Sequence, residues 1–160
     1  MIHDIQIRPV TKADCETIGQ IAETSDLFPA AILPEMIAPF LEEQRTDHVW
    51  LVACEGEDIL GFCFCEPERL TSGTANMLAL ATLLDRRSEG IGSRLVARLE
   101  EHCRQRGDRV MLVETAGLPQ FERTRGFYRR EGYVQVAVIP DYYDEGEDKI
   151  VFHKRLEQQT

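Results

Sequence analysis

Leu78 to Gly107 reads LALATLLDRRSEGIGSRLVARLEEHCRQRG, and it is the stretch whose spacing dictates a particular chemistry. An apolar run, Met77 to Leu84, is followed by the charged turn Asp85-Arg86-Arg87 and by Ser88-Glu89-Gly90-Ile91-Gly92. Ile91, Leu95, Leu99 and Cys103 then recur at helical spacing. The pattern predicts a strand, a glycine-bearing loop and a helix. Glycines at 90 and 92 allow backbone N–H groups to converge without Cβ obstruction. The helix they open turns its unpaired first-turn donors and positive dipole end toward an anion, so the expected guest is a phosphate group.

Two phosphate-loop patterns fit poorly. A Walker loop needs Lys-Ser/Thr after its second glycine, where this chain has Ser93-Arg94, and a dinucleotide loop needs a third glycine that does not follow at the right offset.

Working outward, 160 residues with 43% apolar and 29% charged side chains predict one domain over residues 1–160 with a substantial core. No apolar run approaches the roughly 18 residues that span a bilayer. The opening MIHDIQIRPV has neither a basic segment nor a long apolar one, so a cytoplasmic location is expected. Cysteines 15, 54, 63, 65 and 103 are odd in number and form no CxxC pair, which predicts buried free thiols and no metal site. The net charge of −10 argues against nucleic acid. Residues 86–130 carry 11 basic and 6 acidic side chains, a net +5 that leaves −15 elsewhere. A polyanionic cofactor suits the first surface and a cationic acceptor the second.

The chain in order predicts a strand through Ile5 and Ile7, a helix capped by Thr11 with Ile18, Ile21 and Ala22 on one face, and short helical pieces near Pro29, Pro34 and Pro39. Phe28, Ile32, Leu33, Met36, Ile37 and Phe40 are suited to the core or to lining an acceptor site. His48–Cys54 and Ile59–Cys65 form a hairpin, and Thr74–Thr82 the next strand. After a helix ending at Gly107, Arg109–Thr115 is a near-continuous apolar strand expected to be buried on both faces. Leu118–Glu131 is helical, Tyr133–Ile139 and Lys149–Leu156 are strands, and Asp141–Asp148 is an acidic loop between them.

The order β-α-α-β-β-β-α-β-α-β-β, together with Arg87-x-x-Gly90-x-Gly92 and the late Phe127-Tyr128-Arg129-Arg130-Glu131-Gly132-Tyr133, resembles the GNAT superfamily of acetyl-coenzyme A-dependent N-acetyltransferases. Glu114-Thr115 and the Asp141–Lys149 segment strengthen the resemblance, which covers essentially the whole chain. It implies a single α+β domain: a central mixed, mostly antiparallel sheet of about six to seven strands with a splayed parallel pair, and about four helices. It also implies acetyl-coenzyme A as co-substrate. The backbone of Leu80, Ala81 and Thr82 would hold the pantetheine arm, and the loop Arg87, Ser88, Glu89, Gly90, Ile91, Gly92 and Ser93 the pyrophosphate. Ser88, where glycine is frequent, and the like charge of Glu89 depart from the pattern.

Acyl transfer needs a neutral amine, a polarised thioester carbonyl and a proton for the departing thiolate. Tyr128 matches the family tyrosine that donates to the coenzyme sulfur; its other reading is a helix-end aromatic packed in the core. Where some members carry a catalytic glutamate this chain has Asn76, and an amide takes no proton. Glu114 is the substitute candidate for the base, directly or through water, its other role being capping or pairing with a basic side chain such as Arg123 or Arg125. His48 and His153 read as ordinary strand residues. The expected partner is a small-molecule or peptidic amine, without nucleic acid or membrane, and a homodimer is left open. The other reading is a catalytically silent acyl-coenzyme A-binding or regulatory domain.

Overall fold

A computed structural model describes residues 4–157. Along the chain run β1 (Gln6–Pro9), α1 (Cys15–Thr24), α2 (Leu33–Leu41), β2 (Val49–Glu55), β3 (Asp58–Pro67) and β4 (Thr74–Thr82). These are followed by α3 (Ile91–Gln105), β5 (Val110–Ala116), α4 (Glu122–Arg130), β6 (Val134–Asp144) and β7 (Glu147–Arg155). The seven strands form one sheet in the order β1-β2-β3-β4-β5-β7-β6. The β4–β5 pair is parallel, while β1–β2, β2–β3, β5–β7 and β6–β7 are antiparallel. This is the mixed sheet with four helices that the sequence predicts.

The described chain falls into two compact units, one reaching to Glu66 and resuming over Leu78–His102, the other comprising Pro67–Met77 and the chain from Cys103 onward. In the first, the apolar stripe of α1 (Ile18, Ile21, Ala22) and α2 (Leu33, Ile37) buries against Trp50, Val52, Phe62 and Phe64 of the β2–β3 hairpin. Gly56, at φ +63°, makes the hairpin turn. A Cβ at Gly61 would meet the Ala81 carbonyl at 2.8 Å, so the close approach of β3 to β4 there requires glycine. Proline placement differs in one respect from expectation. Pro29 precedes a 3-10 turn and Pro34 lies in the first turn of α2, but Pro39 lies inside α2 and starts no new piece. Near the end of so short a helix, the donor it lacks removes a single bond.

In the second unit, β5 alternates buried Met111 and Val113 with half-buried Val110 and Leu112, so it is covered less completely than its apolar run suggests. The Asp141–Asp148 segment is also not a loop. β6 continues to Asp144 and β7 begins at Glu147, joined by a tight turn at Gly146 with φ +81°. Its acids serve this hairpin: Asp148 Oδ1 accepts from Asp141 N (3.0 Å), and Asp141 Oδ1 accepts from Gly146 N (2.8 Å).

Candidate active site

β4 ends at Thr82, and a 3-10 turn leads to the loop that opens α3. Ser88 (φ +70°) and Gly90 (φ +82°) are both left-handed, which turns the backbone sharply before the helix. Arg94 N donates to Gly90 O at 3.1 Å, making Gly90 the residue from which α3 springs. A helix start directs its first amides outward along the axis, and the turn Ile91-Gly92-Ser93-Arg94 carries no acidic side chain. Glu89, the like charge near the expected phosphates, is held by Arg86 at 2.7 Å, and the same guanidinium reaches Glu55 at 3.3 Å. The sequence did not single out Arg86, because its partner Glu55 lies 31 positions away. Left-handed backbone, donor-bearing helix start and neutralised acid fit a pyrophosphate, and Arg87 stands exposed beside them.

The parallel ladder runs from Thr74 opposite Val110 to Met77 opposite Val113. Leu80, Ala81 and Thr82 lie beyond it on β4. Of the second unit's candidates, Asn76 is opposite Leu112, which places Glu114 diagonally beside it on the same face. Glu114 is opposite Val151 on β7, which likewise sets Lys149 on its diagonal. Three strands thus build one polar chain. Asn76, only 2% exposed, donates from Nδ2 to Glu68 Oε1 (2.7 Å) and Glu114 Oε1 (3.1 Å), while Lys149 Nζ lies 2.6 Å from Glu114 Oε2. The Lys149 ammonium also sits 4.1 Å from the centre of the Tyr142 ring. Burial works against its charge, but the hydrogen bond and charge of Glu114 win, and the Lys149 pKa is raised. Glu114 therefore pairs with Lys149; Arg125 is engaged elsewhere, donating to the carbonyls of Ala116 and Leu118 and to Glu122.

Tyr128 is 5% exposed on α4, with Tyr133 and Phe152 each 5.9 Å away centre to centre and Phe127 at 5.4 Å. The first unit holds one more feature, a cavity of about 420 Å³ lined by Leu27, Phe28, Met36, His48, Phe64, Glu66, Leu78 and Ala79. Phe28 and Met36, assigned by sequence to core or acceptor lining, both pack against the core and line this cavity. Among the described residues, no group of three or more His, Cys, Asp or Glu side chains could hold a metal ion, and no helix is long and apolar enough to cross a membrane.

The loop, the ladder ending at Met77 and the strand order lead to one class. Residues 19–133 match the acetyltransferase (GNAT) family, and the chain belongs to it. A GNAT-family protein of known structure from Desulfovibrio desulfuricans is 25% identical, with a TM-score of 0.89 over 96% of this chain and 100% of that one. The protein yncA from Salmonella typhimurium, solved with its cofactor acetyl-CoA, is 20% identical with a TM-score of 0.78, covering 98% and 96%. The Escherichia coli ribosomal-protein-S18-alanine N-acetyltransferase is 16% identical with a TM-score of 0.77, covering 98% and 97%. No curated protein sequence matches.

Proposed function

We propose that this chain is an acetyl-coenzyme A:amine N-acetyltransferase working as a single catalytic domain, with attack by the amine in a ternary complex. The left-handed backbone at Ser88 and Gly90 before the α3 N-terminus carries this reading. The loop Arg87–Ser93 binds the pyrophosphate, mainly through backbone N–H groups, and the backbone of Leu80, Ala81 and Thr82 holds the pantetheine arm. Acetyl-coenzyme A supplies the thioester. The amine nitrogen bonds to the acetyl carbon as the carbon–sulfur bond breaks, the nitrogen loses one proton, and the thiolate gains one. Tyr128 donates that proton, since a phenol with a pKa near 10 stays protonated at neutral pH. Glu114 takes the proton from nitrogen, directly or through water. The −15 charge outside residues 86–130 favours an acceptor that is a cation in solution, and a cytoplasmic setting belongs to the same reading.

The engagement of both Glu114 oxygens favours a second reading, a silent acyl-coenzyme A-binding domain. Incubation with acetyl-coenzyme A and a panel of cationic, neutral and anionic primary amines, followed by free-thiol release, separates the two. Amine-dependent thiol release supports transfer, and tight coenzyme binding without release from any amine supports the silent domain.

A further inference from the structure

The cavity of the first unit contains a group that the reaction above does not use. His48 stands just before β2, its side chain only 7% exposed, and neither ring nitrogen makes a hydrogen bond among the described residues. Nε2 is 3.3 Å from Glu66 Oε2, near enough to feel the charge but not aligned for a hydrogen bond. Burial lowers the imidazole pKa; Glu66 and Asp47 pull it up and Arg45 pushes it down, and burial prevails, so the ring is neutral at physiological pH. A buried neutral imidazole without a partner is costly unless a guest supplies one.

The walls around it are apolar and stiff. His48 meets Phe64 edge to face at 5.5 Å, and Phe64 stacks on Trp50 at 4.2 Å. Phe28, braced edge to face on Phe62, and Met36 form the helical side. The cavity opens to solvent at Leu27 (36% exposed), Leu78 (39%) and Glu66, whose side chain is 38% exposed. Leu78 and Ala79 immediately precede Leu80–Thr82 on β4, so the cavity borders the strand assigned to the pantetheine arm.

We infer that this cavity is the acceptor site, and that it selects primary amines with an apolar aliphatic or aromatic body, whose ammonium is drawn by Glu66 and hydrogen-bonded by His48. The inference rests on the reading of the chain as an amine acetyltransferase. Glu66 answers the charge of the arriving ammonium, which gives up one proton to water before attack; the neutral imidazole accepts an N–H of the resulting amine, and the aromatic walls remove the body from water.

The test is a homologous series of n-alkylamines from ethyl to hexyl, with phenethylamine and the polar ethanolamine, assayed as kcat/KM with saturating acetyl-coenzyme A. The rate constant should rise about fourfold for each methylene that enters the cavity, the value expected for transfer of a CH₂ group from water. Ethanolamine should fall below propylamine. Leu78→Glu, at an exposed position where the fold survives, should flatten the series while the coenzyme A dissociation constant is unchanged. Glu66→Gln should raise KM for every amine and leave the slope with chain length intact. Equal rates along the series, or an unchanged slope in Leu78→Glu, overturn the inference. So does a gain seen only when acetyl-coenzyme A is replaced by butyryl- or hexanoyl-coenzyme A, which would make the cavity an acyl-chain site. If no amine is acetylated, the enzymatic reading fails by itself. Hexylamine titrated against the His48 ring proton signals then tests the cavity alone: saturable shifts absent with ethanolamine retain an apolar-amine site, and their absence overturns it.

Discussion

Tyr128 and Asp14 show at the residue scale how much a single side chain is asked to do. Tyr128→Phe keeps the ring among Phe127, Tyr133 and Phe152 and removes only the hydroxyl. A proton donor to the leaving thiolate acts in the transition state, so kcat should fall by about 100-fold with coenzyme A affinity nearly unchanged, measured by steady-state kinetics and calorimetry. A wild-type kcat would reduce the tyrosine to packing. Asp14 tests stability instead. Its buried carboxylate accepts from both Arg8 nitrogens at 2.7 and 2.9 Å and from the Thr11 amide at 2.8 Å. The Arg8 hydrogen bonds, against the opposing effect of burial and with help from Thr11, hold its pKa below the usual carboxylate range. A carboxyl depressed in the folded state stabilises the fold at pH values above its unfolded pKa of about 4 and loses that contribution as pH falls through the folded value. Asp14→Asn should therefore cost about 1–3 kcal/mol at neutral pH, a gap that closes below about pH 4 in denaturation curves. The cap at Thr11 was legible because its partner is three residues away. Lys149 was not legible as the partner of Glu114, since only the register of β5 on β7 brings them together.

Among elements, the turn into α3 carries the most specific expectation. Gly90 has φ +82° and open space where a Cβ would sit, so Gly90→Val acts through backbone conformation and not through a clash. A β-branched residue resists the left-handed region by about 1–2 kcal/mol, and on the proposed reading the loop amides would turn away from the pyrophosphate. The coenzyme A dissociation constant should rise by at least about tenfold in calorimetry, equivalent to about 1.4 kcal/mol, while the melting temperature falls by only a few degrees. Unchanged binding would remove the pyrophosphate from this loop. The turn was readable because glycine spacing and helical periodicity are both local signals. The Asp141–Asp148 hairpin misled for the opposite reason: composition reports solvent exposure, and exposed β6 is charged at this end, while pairing with β7 makes it a strand. The His48 cavity was invisible for a third reason, since its lining comes from separate segments and each residue alone reads as ordinary core or strand.

For the molecule as a whole, element order was legible from periodicity and turns, and it carried the family with it. Contact density divides the chain at Pro67, Leu78 and Cys103, and nothing in the composition marks those points. Sheet order departs from chain order at one place, where β7 lies between β5 and β6. That departure governs how the second unit comes into being. On the edge away from β4, β5 cannot recruit β6, the next strand in sequence, and has to wait for a strand that starts 31 residues after Ala116. The cheapest route closes the short turn first, since a hairpin forms in about 1–10 μs, and then docks the two-stranded unit on β5 as a single non-local step. The turn at Gly146 then belongs to the nucleus. A Cβ at Gly146 meets nothing within 4 Å in the native state, so what Gly146→Val introduces is the strain of its positive φ, felt as soon as the turn forms. Stopped-flow chevrons should show refolding slowed by nearly the whole loss of stability and unfolding almost unaltered, a φ-value close to 1. A variant that mainly unfolds faster would mean that β7 reaches β5 before it meets β6.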